Sequence, residues 1–294
     1  MDTPSILLEN LSSDNRKLAF LSRRFAYYAD EIAKELLGEN QSATDEELEL
    51  SYREIRDTLE AAFLSQDHAF SLSLLSAEGA ILAAEIAKAL TRRAKIESFL
   101  PTLDSVEGKC VYFRNAYSDD AYRIFAPYLT SPTASYSDTP LAASAEVYND
   151  QSNFAILPIH SSKEGKISGI LRGIERFALS PVLYTDVTLP GGDETMTMGL
   201  FAAYPMAIEN AEGIEITLFS DDAATLPAFH LATSVLDCPI LSIKTLDERQ
   251  GFANAYRINI DCREKDALLP LWLLLRCEYP HHQLSGIFKT VYKK

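Results

Sequence analysis

The sequence predicts an α+β protein of several domains, in which a helical bundle precedes a small α/β domain and a βαββαβ module. Three patterns predict this: helical spacing of apolar residues in the first third, strands alternating with helices in the middle, and a βαββαβ order near the end. A length of 294 residues is enough for about two domains, or for three small ones. The predicted domains are 1–103, 108–206 and 212–294.

The first predicted domain consists of three helices. The first, over 14–37, has an apolar face made of Leu18, Leu21, Phe25, Tyr28, Ile32 and Leu36. Thr44 followed by Glu47 is a capping box, which predicts that a second helix begins there. A third helix is predicted over 76–99, because alanine and leucine favour helix strongly and Pro101 ends it.

The middle domain alternates between the two kinds of element. Strands are predicted at 110–113, 154–159 and 182–187, and helices at 121–128, 141–147 and 167–177. Such alternation indicates a mostly parallel or mixed sheet with helices on its faces.

The last domain has strands at 214–219, 239–245, 255–260 and 284–291, and helices at 226–236 and 267–276. This βαββαβ order is the ferredoxin-like pattern. Such modules commonly pair edge to edge, so we expect a homodimer.

The composition excludes several classes of function. Acidic residues exceed basic ones by 15, and such a surface repels nucleic acid and anionic membranes. No apolar run reaches the roughly 18 residues of a membrane span, and the first residues lack the basic start of a secretory signal. The four cysteines have no metal-binding spacing. We therefore expect a cytoplasmic protein with reduced thiols, no metal and no cofactor.

One segment of the middle domain has the strongest resemblance to a known family. Residues 154–167 read FAILPIHSSKEGKI, which resembles the F-A-V-V-P-I-E-N-S-x-x-G-x-V segment of prephenate dehydratases. Tyr117 and Ser118 look like the start of that family's Y-S-x-x-A helix, and 179–189 looks like its L-x-I-V-x-E-x-x-L strand. The resemblance implies a periplasmic-binding-protein-like α/β fold, followed by an ACT regulatory domain and preceded by a chorismate mutase domain.

The departures from the family pattern concern its active site. The glutamate and asparagine of P-I-E-N-S are His160 and Ser161 here, whereas Ser162 and Gly165 match. The family's T-R-F places its threonine at Thr195 or Thr197, and methionine stands in the arginine position in either register. The glycine-rich loop is reduced to 114–116 without glycine, and the family's second lobe has no counterpart in the sequence. His160 and Ser162 form a new acid pair in one interpretation, and in the other His160 only caps a helix or hydrogen-bonds locally.

The resemblance to helical chorismate mutases implies basic residues that hold a dianionic substrate. Arg23 and Lys34 lie eleven residues apart on one helical face, although the apolar register favours Arg24 over Arg23. Arg53 and Glu54 stand for the family's R-E pair of the second helix. The alternative is that these residues are solvated charges on a bundle surface.

The ACT resemblance implies an amino acid site made of two turns. The family's G-A-L turn falls at Ala224 to Leu226, and its E-S-R-P turn falls where Lys244 and Thr245 stand. Because these residue types differ, specificity for phenylalanine does not carry over. A site for another amino acid and a plain dimerisation module both remain open.

Three functions follow from these patterns. The first is a prephenate dehydratase-family protein of phenylalanine biosynthesis, on the route from chorismate through prephenate to phenylpyruvate, with dehydratase catalysis impaired or lost. The second is a non-catalytic relative that binds an amino acid or small anion, or that regulates or scaffolds a partner. The third is a monofunctional chorismate mutase.

Overall fold

The computed structural model describes residues 3–37, 41–64, 73, 75–95, 100–247, 250–263 and 268–293. Its first elements are the helix α1 (Thr3–Leu37), the short strand β1 (Gln41–Ser42), the helices α2 (Asp45–Leu64) and α3 (Ala77–Arg93), and the short strand β2 (Ala94–Lys95). Every helix among these described residues is too short or too polar to span a membrane. The sequence also predicts that a turn over 38–40 ends the first helix, and these residues lie outside the described part of the chain.

The middle of the chain alternates as the sequence predicts, with additional strands. It consists of β3 (Glu107–Phe113), α4 (Ala116–Phe125), β4 (Thr130–Ser137), α5 (Pro140–Tyr148), β5 (Phe154–Ser161), β6 (Gly165–Lys166), α6 (Ser168–Arg176), β7 (Ser180–Thr188) and β8 (Thr195–Ala202). The sequence patterns did not predict β4 or β6. The sequence also predicts a strand over 201–203, and this start is wrong because β8 begins at Thr195.

The last elements follow the predicted βαββαβ order. They are β9 (Gly213–Ser220), α7 (Thr225–Val235), β10 (Ile240–Thr245), β11 (Asn254–Asp261), α8 (Leu268–Glu278) and β12 (His282–Thr290). Strands β10 and β11 are antiparallel neighbours.

Two compact units divide the chain, and each is discontinuous in sequence. The helical unit consists of Met1–Glu97 and Leu218–His282, and the sheet unit consists of Ser98–Thr217 and Gln283–Lys294. The division into domains at 1–103, 108–206 and 212–294 stays a prediction. What the structure establishes is a mixed α/β fold, with both parallel and antiparallel strand pairs.

In the helical unit the capping box is confirmed. The Thr44 N–H donates to Glu47 Oε2 over 2.8 Å, and the Glu47 N–H donates to Thr44 Oγ1 over 3.3 Å. This reciprocal pair satisfies two N–H groups that a helix start would otherwise leave without partners. It explains why α2 begins where the sequence predicts.

The predicted apolar face of α1 is partly wrong. Tyr28 and Leu36 are exposed, and the buried stripe is Leu21, Phe25, Ala29, Ala33 and Leu37. Helix α3 packs against this stripe, and from Gly79 to Ala87 each of its residues is buried. Alanines on both helices allow the two helices to approach closely. The prediction chose larger apolar residues such as Tyr28 and Leu36, because hydrophobicity alone ranks alanine below them.

A buried carboxyl group on α3 makes stability depend on pH. Glu85 is 6% exposed, and Ser22 Oγ donates to its carboxylate over 2.5 Å. Burial raises the pKa of Glu85, and the bond from Ser22 opposes this only in part. Because the pKa is higher in the folded than in the unfolded chain, this group favours folding at acidic pH. That contribution is lost as the pH rises through the raised pKa.

We therefore expect Glu85→Gln to be more stable than the original protein at neutral pH. The advantage should vanish near pH 4, around or below the carboxyl pKa of an unfolded chain, about 4.3. Urea unfolding of both proteins at the two pH values measures the difference. Glu31→Gln, on the exposed side of α1, is the matched control and should show no such pH dependence. A Glu85→Gln protein that is less stable at neutral pH would contradict the prediction.

In the sheet unit the strands lie in the order β9-β12-β7-β8-β5-β3-β4, and β6 pairs with β5. Alternate residues of β5 enter two apolar clusters, Phe154 and Ile156 on one face and Ala155 and Leu157 on the other. The first cluster includes residues of α4, and the second includes residues of α5 and α6. The sheet is therefore covered by helices on both faces.

Candidate functional site

The polar residues that resemble the family motifs gather at one edge of the sheet unit. Strands β3, β4 and β5 are parallel. Strand β8 is antiparallel to both β5 and β7, so β7 runs the same way as β5. The carboxyl ends of these four strands and the start of β8 therefore share an edge, where ligands of open α/β sheets commonly bind.

The direction of the chain changes at this edge between β3 and β5, which are neighbouring strands. Helix α4 follows β3 and packs on one face of the sheet, whereas α6 follows β5 and packs on the other. The two connections therefore separate and leave a crevice beyond the strand ends. The residues that flank it are 114–118 after β3 and 160–162 at the end of β5.

A row of polar residues crosses three strands beside this crevice. His160 on β5 and Asp186 on β7 are both direct register partners of Thr197 on β8, so the three side chains lie on the same face. Thr197 Oγ1 donates to Asp186 Oδ1 over 2.6 Å. His160 and Asp186 are exposed. The row presents an imidazole and a carboxylate to solvent, with a hydroxyl between them.

Ser162 and Thr195 are held together at the same edge. The Ser162 N–H donates to the Thr195 carbonyl over 2.9 Å, and the Thr195 N–H donates to Ser162 Oγ over 2.9 Å. A further bond of 2.7 Å joins the hydroxyls of Thr195 and Thr188. The structure thus brings together four predicted catalytic residues: His160, Ser162, Thr195 and Thr197.

Two predicted ligand-binding residues, Ser161 and Gly165, stabilise the turn between β5 and β6. Ser161 is buried, and its hydroxyl donates to Glu194 Oε1 over 2.5 Å while it accepts the N–H groups of Lys163 and Glu164 over 3.1 Å each. Gly165 has φ +77°, a conformation that favours glycine. These contacts give both residues a structural role.

Tyr117 and Ser118 lie in the first turn of α4. Asn115 caps this helix, because its side chain accepts the Ser118 N–H over 2.9 Å. Ser118 is buried, and Tyr117 packs partly against the α4 side of the core. The helix start faces the crevice, as the resemblance implies, but the Ser118 side chain is turned away from solvent.

The sequence patterns did not single out the cation at this edge. The guanidinium carbon of Arg114 lies 4.7 Å from the ring centroid of Tyr136, and its Nε lies 3.7 Å from Asp119. Tyr112 also donates to Asp119, over 3.1 Å. Burial and this bond raise the pKa of Tyr112. Arginine in a shortened loop gives little signal in a sequence, because the aromatic surface comes from the unpredicted strand β4.

The predicted mutase residues lie on α1 and α2, and most of them are exposed. Arg23 and Lys34 are exposed on α1, and Glu54 is exposed on α2. The Arg53 side chain is 69% exposed and lies 3.8 Å from Glu49. The Arg24 guanidinium stacks at 4.9 Å on the ring of Phe63. These positions agree with the alternative of solvated charges on a helical surface.

The residues of the predicted amino acid site lie at the start of α7 and on β10. Ala224 caps α7, and its N–H donates to Asp222 Oδ1 over 2.7 Å. Asp221 nearby accepts the N–H of Ala253 over 2.9 Å. Two carboxylates thus accept backbone N–H groups at this turn. Leu226 is half-buried in the first turn of α7, and the strand that carries Lys244 and Thr245 is exposed.

Among the described residues, no group of three or more His, Cys, Asp or Glu side chains is placed to hold a metal ion. The site therefore consists of hydroxyls, one imidazole, carboxylates and a guanidinium. Such groups can bind an anion or exchange protons with a ligand.

Comparison with known proteins gives matches among solved structures. No protein-family model and no curated protein matches the chain. Prephenate dehydratase from Streptococcus mutans matches with 14% identity and a TM-score of 0.46, over 63% of this chain and 99% of that one. Prephenate dehydratase from Arthrobacter aurescens in complex with L-Phe has 11% identity and a TM-score of 0.42, over 61% of this chain and 89% of that one. GqqA, described as a novel type of quorum quenching acylase, has 14% identity and a TM-score of 0.43, over 61% and 93%. In fold, the chain is similar to prephenate dehydratases and to this acylase.

Proposed function

We propose that the sheet unit binds a small organic carboxylate in the crevice at the carboxyl edge and does not dehydrate it. In this proposal the protein is a relative of prephenate dehydratase that serves aromatic amino acid metabolism as a binding or regulatory protein. The observation that carries it is the direct pairing of Ser162 with Thr195. Ser162 stands at the serine of P-I-E-N-S, and Thr195 is one of the two candidates, with Thr197, for the threonine of T-R-F. The proposal places both motif remnants in one site.

The lack of an arginine beside Thr195 and Thr197 supports the absence of dehydration. Along β8, Met196 and Met198 alternate with the two threonines and point to the opposite face, toward the apolar cluster that includes α4 residues. Methionine provides no bidentate partner for a substrate carboxylate. Dehydration with loss of carbon dioxide needs the substrate to be held while a positioned acid protonates the leaving hydroxyl. Without an arginine to bind its carboxylate, the substrate is held weakly, and the acid is not positioned against the leaving hydroxyl.

Arg114 is the residue we expect to bind the ligand carboxylate. Its guanidinium stacks on Tyr136 beside the crevice, where backbone N–H groups of the first turn of α4 add favourable dipoles. The hydroxyls of Ser162 and Thr195 supply neutral polar contacts. The net charge of −15 makes a local cation especially important for an anionic ligand.

The test uses purified protein with prephenate, and separately with L-phenylalanine. We expect calorimetry to detect binding of at least one of them, and we expect no phenylpyruvate above the uncatalysed rate. Arg114→Met should weaken that binding about tenfold or more, the loss typical of one charged hydrogen bond. Arg123→Met is the control, because the Arg123 side chain is 75% exposed and pairs with Asp120 on α4.

Each outcome bears on one part of the proposal. Enzymatic formation of phenylpyruvate would overturn the lack of dehydration. Failure of both compounds to bind, or equal loss of affinity in the two variants, would overturn the assigned crevice. Chorismate is the third substrate to assay. Its turnover would favour the mutase alternative.

Homodimer formation remains a prediction, and the edge strand β10 supports it. Among the described strands β10 pairs with β11 alone, and Leu241 and Ile243 on it are 57% and 46% exposed. An exposed apolar edge readily pairs with another strand. We expect light scattering at micromolar concentration to give twice the mass of the chain. Leu241→Lys should then reduce it to the single mass, whereas a monomeric original protein would contradict the prediction.

A further inference from the structure

Two cysteines of the helical unit lie directly opposite each other. Ile240 on β10 is the register partner of Ile260 on β11, and the strands are antiparallel. Cys238 lies two residues before Ile240, and Cys262 lies two residues after Ile260. The same antiparallel register therefore places Cys238 opposite Cys262. The Asp261 N–H donates to the Pro239 carbonyl over 2.9 Å, so the ladder continues up to this pair.

The position in the ladder suits a covalent bond between the sulfur atoms. Pro239 and Asp261 occupy a hydrogen-bonded position, so the cysteines occupy the next, non-hydrogen-bonded one. Opposite Cα atoms at such positions are about 4.5 Å apart. Disulfides span Cα separations of about 4.4–6.8 Å. Both cysteines are reduced and buried in this structure, and a hydrogen bond joins their side chains.

We propose that Cys238 and Cys262 form a reversible disulfide site that responds to hydroperoxides. The hydrogen bond to Cys238 and burial raise the pKa of Cys262, so the thiolate forms only when the pair is exposed to solvent. One thiol then loses its proton, and its thiolate attacks the O–O bond and becomes a sulfenic acid. The departing oxygen takes up a proton and leaves as an alcohol, or as water when the peroxide is hydrogen peroxide. The second thiolate then attacks this sulfur, forms the S–S bond and releases water. In total, two thiols lose two protons and two electrons, and the peroxide takes up both.

Access to the buried thiols requires local opening, and β10 is the element that opens. It carries exposed side chains over most of its length and forms the end of the strand order. A disulfide at its entry ties it to β11 and restricts that opening. Lys244, further along β10, is a trypsin site that reports the change, because cleavage of a strand requires it to leave the sheet.

The experiment exposes the native full-length protein to hydrogen peroxide, then alkylates it in denaturant and maps its peptides by mass spectrometry. We expect a Cys238–Cys262 crosslink that a reductant reverses, with Cys110 and Cys277 still alkylated. Cys110 is a sharp comparison, because it is equally buried but faces no cysteine in the ladder. Trypsin cleavage after Lys244 should slow by about tenfold or more in the oxidised protein.

Cysteine-to-serine variants provide a second test of the proposal. Cys110→Ser/Cys277→Ser should keep the whole response, and Cys262→Ser should lose the crosslink and the slower cleavage. The peptide map of the original protein stands by itself if a variant fails to fold. Crosslinks to Cys110 or Cys277, unchanged alkylation of Cys238 and Cys262, or cleavage at the same rate in oxidised and reduced protein would overturn the proposal.

Discussion

Arg56→Met is expected to destabilise the protein by about 3–5 kcal/mol, the usual loss when one partner of a buried ion pair is removed. The side chains of Arg56 and Glu278 are 15% and 9% exposed, and they form an ion pair between α2 and α8 within the helical unit. Tyr52, also buried, donates to the same carboxylate over 2.7 Å. Without Arg56 the Glu278 carboxylate stays buried with no cation beside it. Urea unfolding measures the loss.

Two further variants separate the buried charge from the lost packing. Arg56→Met/Glu278→Leu removes both charges and should recover much of the stability, since Tyr52 still has the Ala83 carbonyl at 3.2 Å as an acceptor. Arg53→Met is the same change at an exposed position of α2, and we expect an effect within about 0.5 kcal/mol. Equal losses in Arg56→Met and Arg53→Met would contradict the buried-pair interpretation.

Gly286→Ala is the second change with a large expected effect. Gly286 is buried on β12, and a Cβ atom there would lie 2.3 Å from Cδ and 3.0 Å from the backbone nitrogen of Pro181 on β7. The proline ring is rigid and part of the backbone, so it cannot turn aside. The parallel pairing of β12 with β7 must widen instead, and we expect a loss of about 1–3 kcal/mol.

The matched control for this change is Gly169→Ala. Gly169 lies in the first turn of α6, and a Cβ atom there would meet nothing within 4 Å. Alanine at such a helical position should stabilise the protein by about 0.4–1 kcal/mol. Urea unfolding of the two variants should therefore give opposite signs. A neutral Gly286→Ala would show that the two strands lie further apart than the structure has them.

Local chemistry is what the sequence predicts well. Thr44 and Glu47 fix the start of α2 by themselves, so the capping box is readable without the fold. Strand β4 gives no such signal, because its residues are small, polar and mostly exposed. Its pairing with β3 is a property of the folded sheet. The buried face of α1 depends in the same way on the helix that packs against it.

Some residues of the candidate site could be predicted from the sequence, and others could be found only in the folded structure. The resemblance to family motifs selects Ser162 and Thr195 one by one. The structure then shows that the two residues are hydrogen-bonded to each other. Asp186 could not be predicted, since an exposed acid within a strand has no distinctive pattern. Arg114 depends on Tyr136, which lies on an unpredicted strand. Residues that acquire a role from cross-strand neighbours become visible only in three dimensions.

The interleaving of the two units constrains how the protein can be made. A ribosome releases β3 to β8 early, yet β12, which pairs with β7, follows Leu218–His282 in the chain. During synthesis β7 must therefore wait with one edge unpaired while the second segment of the helical unit, Leu218–His282, emerges. During this interval the nascent chain exposes an unpaired strand edge that can pair with other chains and aggregate. We expect a chaperone that binds the nascent chain to prevent aggregation most effectively at this stage.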